Sequence, residues 1–109
     1  MQDETEEMPI AVYHQNSDGT RRYGVVADGR GDLHKCWPIG DASFPLLQYV
    51  DPYGDTVFNC AQMPEVLREL DVLTKRCSDE HSKALLEQIQ ELARGCQDSL
   101  HTYLRFVGD

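Results

Sequence analysis

Between Phe44 and Leu70 the chain reads FPLLQYVDPYGDTVFNCAQMPEVLREL, and its hydrophobic period changes twice around a compact turn. A strand buries alternate side chains whereas a helix buries every third or fourth, so these switches require a fold of mixed elements. Pro45 to Val50 predict a short strand, Asp51-Pro52-Tyr53-Gly54-Asp55 a turn, and Thr56 to Asn59 a second extended piece. Pro45 suits the first residue or an edge of its strand. Asn59 and Gln62, three apart, carry a capping-box signature for the next helix, with Pro64 in its first turn.

The helical stripe comprises Met63, Val66, Leu67, Leu70, Leu73 and Cys77, with Glu65, Arg68, Glu69, Asp71 and Lys75 on the opposite face. Ser78 is the expected N-cap of a second helix, where Asp79 and Glu80 sit favourably in the field of its N-terminus. Leu85, Ile89, Leu92 and Cys96 form its stripe, and Gly95 weakens its end. So short a link between two amphipathic helices predicts an antiparallel hairpin.

Ile10 to His14 and Arg21 to Ala27 are β-prone runs around an Asp18-Gly19 turn signal, which predicts a hairpin. Asp28 to Asp32 suit a second reversal, Leu33 to Trp37 a short strand, and His101 to Val107 a last strand returning to the sheet. The expected architecture is α+β: a small, mainly antiparallel sheet with a two-helix antiparallel hairpin packed on one face. Met1 to Met8, with four acids, predict a disordered acidic tail before one domain over residues 9–109.

The 109 residues carry 19 acidic against 10 basic side chains, a net charge of −9, which argues against nucleic acid as ligand. No apolar run is long enough for a membrane span. The acidic N-terminus MQDETEEMP is unlike a secretory signal, so a cytoplasmic protein with Cys36, Cys60, Cys77 and Cys96 reduced is expected.

The cysteines and histidines lack zinc-binding spacing: His34 with Cys36, and Cys77 with His81, are close pairs without a matching second half. No nucleophile elbow supports Cys36 with His101 as a catalytic pair. Asp51 and Asp55 could hold a cation or share acid/base work, although Asp-Pro at the first positions and Gly near the end are what turn geometry selects. Arg30-Gly31-Asp32 is likewise explained by turn residues. Trp37 and Tyr53 are large aromatics in or beside turns, suited to interface or partly buried core. No catalytic residue, metal or cofactor is assigned.

The run LLQYVDPYGDTVFNCAQMPEVLREL with the ending HTYLRFVGD resembles a group of short, stand-alone, acidic bacterial proteins. They share a strand, a D-x-y-G-D-T turn, a helix opened near Asn-x-x-Gln and a terminal F-x-G-D. The matching residues are Asp51, Gly54, Asp55, Asn59, Gln62 and Asp109. Some of the group look like immunity proteins that neutralise a partner toxin.

The expected function is a non-catalytic, acidic protein-binding domain, an immunity-type inhibitor whose acids face a basic toxin or other cationic partner. The expected contact residues are Asp51, Tyr53, Asp55, Glu65, Glu69 and Asp71. One alternative is a small metal-dependent protein or enzyme using His34 and Cys36, or Asp51 and Asp55. Another is a structural homodimer or adaptor; monomer and homodimer remain open.

Overall fold

The computed structural model describes residues 10–26, 33 and 36–108. Strands β1 (Ala11–Asn16), β2 (Arg21–Val26), β3 (Asp55–Asn59) and β4 (Thr102–Val107) form one antiparallel sheet in the order β2-β1-β4-β3. Helices α1 (Met63–Arg76) and α2 (Glu80–Gln97) lie between β3 and β4 in the chain and pack together as a hairpin. This is the α+β architecture that the sequence predicts. Among the described residues no helix is long and apolar enough to cross a membrane. The expected acidic tail and the Asp28–Asp32 reversal lie outside the described residues.

Alternation sorts the strands into two faces. Val12 and His14 of β1, Phe58 of β3, and Thr102, Leu104 and Phe106 of β4 are buried, while their neighbours in the chain are not. The buried face joins Val66, Leu70, Leu86, Ile89 and Ala93 of the helices in one core. Trp37 belongs to that core: its ring lies 5.7 Å from that of Phe106, and its indole N–H donates to the Leu47 carbonyl at 3.0 Å. Phe58 meets Phe106 edge-on at 5.8 Å, a favoured aromatic geometry.

The β1–β2 hairpin contains an irregularity. Gly19, at φ 92°, supplies the left-handed residue of the turn, and Asp18 Oδ1 accepts from both the amide and hydroxyl of Thr20. Along the ladder His14 stands opposite Tyr23 but Gln15 opposite Arg21, so Arg22 is an extra residue in β2. A bulge of this kind reverses the side-chain phase between the strand residues on its two sides.

Two predicted strands do not form at their described residues. Within Pro45–Val50, Leu47–Tyr49 form a 3-10 helix. Phe44, Leu47 and Val50 are the buried residues there, and their spacing of three is the repeat of a 3-10 helix. Over Leu33–Trp37, the described Leu33 and Cys36 are helical, with the Cys36 thiol donating to the Leu33 carbonyl at 3.4 Å.

Helix boundaries also shift. The Asn59–Gln62 capping box forms in both directions but opens a 3-10 turn, Cys60–Gln62, that continues into α1. Asp79, one residue beyond the expected Ser78, caps α2 by accepting from the Ser82 amide at 2.9 Å. Gly95 lies within α2, which continues to Gln97.

The reason for Gly95 is His14. A Cβ at Gly95 would lie 3.3 Å from His14 Nδ1, so glycine lets the helix approach the buried imidazole. The Thr102 hydroxyl donates to the Ser99 carbonyl at 2.7 Å, and His14 Nε2 lies 2.9 Å from the same oxygen. The hydroxyl has one proton, so Nε2–H donates and Nδ1 is the bare nitrogen. Nδ1 has no hydrogen-bond partner among the described residues.

Burial, and secondarily the charge of Arg22, hold the His14 pKa below the usual 6.5. The unfolded chain therefore binds this proton more readily, and the stabilisation from neutral His14, fully present above pH 6.5, is lost as pH falls toward the folded value. Urea denaturation between pH 8 and pH 5 should show the stability advantage of wild type over His14→Gln shrinking as the pH falls. A gap independent of pH would contradict this.

Candidate functional site: the open face of the sheet

The six residues expected to meet a partner fall into two groups. Asp51, Tyr53 and Asp55 flank the turn between the 3-10 segment and β3, whereas Glu65, Glu69 and Asp71 belong to α1. Most have work within the chain. Asp51 Oδ1 accepts from the Tyr53 amide at 2.8 Å, Asp55 pairs with Arg105, Glu65 with Arg68 at 2.5 Å, and Asp71 with Lys75 at 3.0 Å. Exposed pairs of this type add little stability. The Arg68 guanidinium, with help from Glu69, holds the Glu65 carboxyl down at about 2.

Glu69 corrects the expectation of an exposed acid. It is fully buried, with its carboxyl accepting from the amides of Leu46 and Leu47 at 2.8–3.1 Å. It thereby fastens the 3-10 segment to α1, occupying amide donors at the start of that short helix. Burial, followed by the neighbouring Glu65 carboxyl, pushes the Glu69 pKa up. Leaving a buried donor unpaired costs about 1–3 kcal/mol, which makes Glu69 a structural residue.

The D-x-y-G-D-T turn and the glycine near the end of the chain prove to be one structural unit. The Asp51 amide donates to Thr56 Oγ1 at 2.9 Å, and Gly108 N–H donates to the Gly54 carbonyl at 2.6 Å. A Cβ on Gly108 would stand 2.5 Å from the Pro52 carbonyl carbon and oxygen. Only a glycine permits that approach. Tyr53 remains 67 % exposed beside this clip, while Asp109 lies outside the described residues.

The chemistry proposed for the alternatives gains no cluster. Among the described residues no group of three or more His, Cys, Asp or Glu is placed to hold a metal ion. His34 lies outside the described residues. The Cys36 thiol is pushed up to about 12 by burial and by its hydrogen bond with Cys77, and a thiol so placed stays protonated near neutral pH. Asp51 and Asp55 each serve a separate partner.

The face of the sheet that no other described element covers is different in character. The β1 and β4 residues opposite in phase to the core are Tyr13 and Gln15, and Tyr103, Arg105 and Val107, all half-buried. Tyr13, Gln15, Gly19, Arg21, Arg105 and Val107 line a hollow of about 460 Å³. Gly24 stands opposite Tyr13 in the ladder, and a Cβ there would come 2.7 Å from the tyrosine ring, so the ring occupies the missing side chain's place. The Arg21 guanidinium carbon lies over the ring, 3.8 Å from its centroid. Arg105 spans the neighbouring strands, donating to Gln15 at 3.1 Å and pairing with Asp55.

None of these hollow-lining residues was among the expected contacts. The available signal was the second phase of each strand: Tyr and Gln between and beyond Val12 and His14, and Tyr, Arg and Val alternating with Thr102, Leu104 and Phe106.

Gly108→Ala should destabilise the fold by about 1–3 kcal/mol, the usual range for forcing extra atoms into packed structure. Urea denaturation measures it. A neutral substitution would show that the 51–54 turn is not clipped to the end of β4. No protein-family model, curated protein or solved structure matches this chain.

Proposed function

We propose that this chain is a non-catalytic protein-binding domain whose working surface is the open face of its four-stranded sheet. The observation that carries the proposal is the one-sided packing of the described residues: the helices and core lie against Val12, Leu104 and Phe106, while the opposite face presents Tyr13, Arg21, Arg105 and Val57. Val57 points outward from edge strand β3 and is 48 % exposed. Tyrosine and arginine on a rigid surface suit protein recognition, because both supply large contact area together with polar ends.

The net charge of −9 favours a partner that is basic overall, drawn in by long-range attraction. An immunity-type inhibitor that occludes a cationic toxin is the form of this function that suits a short acidic chain. Steering and contact are then separate tasks: the distributed acids attract, and the sheet face docks.

Capture from the native host with three baits tests the proposal: wild type, Val57→Asp, and Glu87→Ala as an exposed control on α2, each checked by circular dichroism. Wild type and the control should retain the same protein, Val57→Asp should lose most of it, and retention should weaken as salt rises. Full retention by Val57→Asp, or no protein retained by wild type, would contradict the proposal.

A further inference from the structure

Arg21 has no ion-pair partner among the described residues, and three features of the hairpin combine to place it where it is. First, Arg22 is the extra residue of the β2 bulge. In a regular ladder Arg22 would stand opposite Gln15 and Arg21 would take the opposite phase; the bulge turns Arg21 onto the open face. Second, Gly24 leaves the space in which the Tyr13 ring lies. Third, that ring supports the Arg21 guanidinium from below at 3.8 Å. A guanidinium resting over a ring in this way, with no ion-pair partner among the described residues, keeps N–H donors free for a planar pair of oxygens.

The rest of the hollow is electrically balanced. Arg105 is matched by Asp55 and tethered by Gln15, and its Nε–H is shut off from solvent with no acceptor among the described residues. Arg21 therefore supplies the uncompensated charge, a local positive site on a chain of net charge −9. A stacking pair alone would contribute only about 0.5–1 kcal/mol at an exposed site and would not require the bulge. The volume, about 460 Å³, suits a side chain with adjoining backbone.

We infer that this hollow binds a carboxylate: an acidic side chain of the protein partner, held by Arg21 as a two-point donor against the Tyr13 ring. The inference rests on the protein-binding function and names its anchor. One guanidinium neutralises one carboxylate, whereas a doubly charged phosphate would retain a charge repelled by the acidic surface. A partner that is basic overall and offers one acid to the hollow satisfies both the long-range and the local field.

Titration of the full ¹⁵N-labelled chain with N-acetylglutamate N-methylamide tests this, with the glutamine analogue and inorganic phosphate as parallel arms. The glutamate probe should shift the amides of Tyr13, Gln15, Arg21 and Arg105 saturably. The glutamine analogue, and Arg21→Gln with the glutamate probe, should each bind roughly tenfold or more weakly, the effect of losing a charged hydrogen-bonded pair. Arg21 is exposed, so this variant should keep the wild-type spectrum elsewhere. Equal binding of the glutamine analogue, tighter binding of phosphate, binding unaffected by Arg21→Gln, or no saturable shift would each overturn the inference. Failure here, together with capture sensitive to Val57→Asp, would remove the anchor and leave the docking face; glutamate binding with no captured protein would do the reverse.

Discussion

β4 is made from nearly the last residues of the chain, yet it lies inside the sheet, hydrogen-bonded to β1 on one side and β3 on the other. Because side chains alternate along a strand, its phase settles both faces together. Thr102, Leu104 and Phe106 point into the core, and Tyr103, Arg105 and Val107 point out. A slip of one residue would bury Arg105 and expose Phe106. Gly108 opposes such a slip by seating the Pro52 carbonyl at the end of the strand, where no side chain fits.

Two of the buried polar residues, His14 and Glu69, add directional constraints to a mainly apolar core. His14 is bonded to Thr102 and lies against Gly95, which sets how closely α2 approaches the sheet. Glu69 holds the amides of Leu46 and Leu47, which fixes the 44–50 segment against α1. Apolar burial tolerates sliding, whereas a buried hydrogen bond broken by sliding leaves a costly orphan. The inner face is thereby held in one arrangement, which fixes the phase of the outer face as well.

The fold was largely legible because its signals are local. Asp18-Gly19 marks the hairpin, the 63-66-70-73 and 85-89-92-96 stripes mark the helices, and HTYLRFV marks the returning strand. Phe44, Leu47 and Val50 misled because apolar residues lie between them: Leu46 fills the gap and makes a period of three look like a continuous run. Glu69 reads as an exposed acid on a polar helix face, and only the distant amides that it caps, at Leu46 and Leu47, explain its burial. The hollow was illegible for a related reason. It depends on a bulge and on side chains from β1, β2 and β4, separated by most of the chain.

The D-x-y-G-D-T segment is architectural in this fold. Asp51 organises the turn, Thr56 receives its amide, Gly54 bonds to Gly108, and Asp55 pairs with Arg105. Asp55 also reaches the open face through that pair, joining the turn to the proposed docking surface. The central claim is that this face, and not the acidic helix α1, meets the partner. Hydrogen exchange of the captured complex locates the contact most directly: slowed exchange in the strands of the sheet, β3 with Val57 included, with α1 unchanged is the predicted result, and protection concentrated around Glu65 and Asp71 of α1 would contradict it.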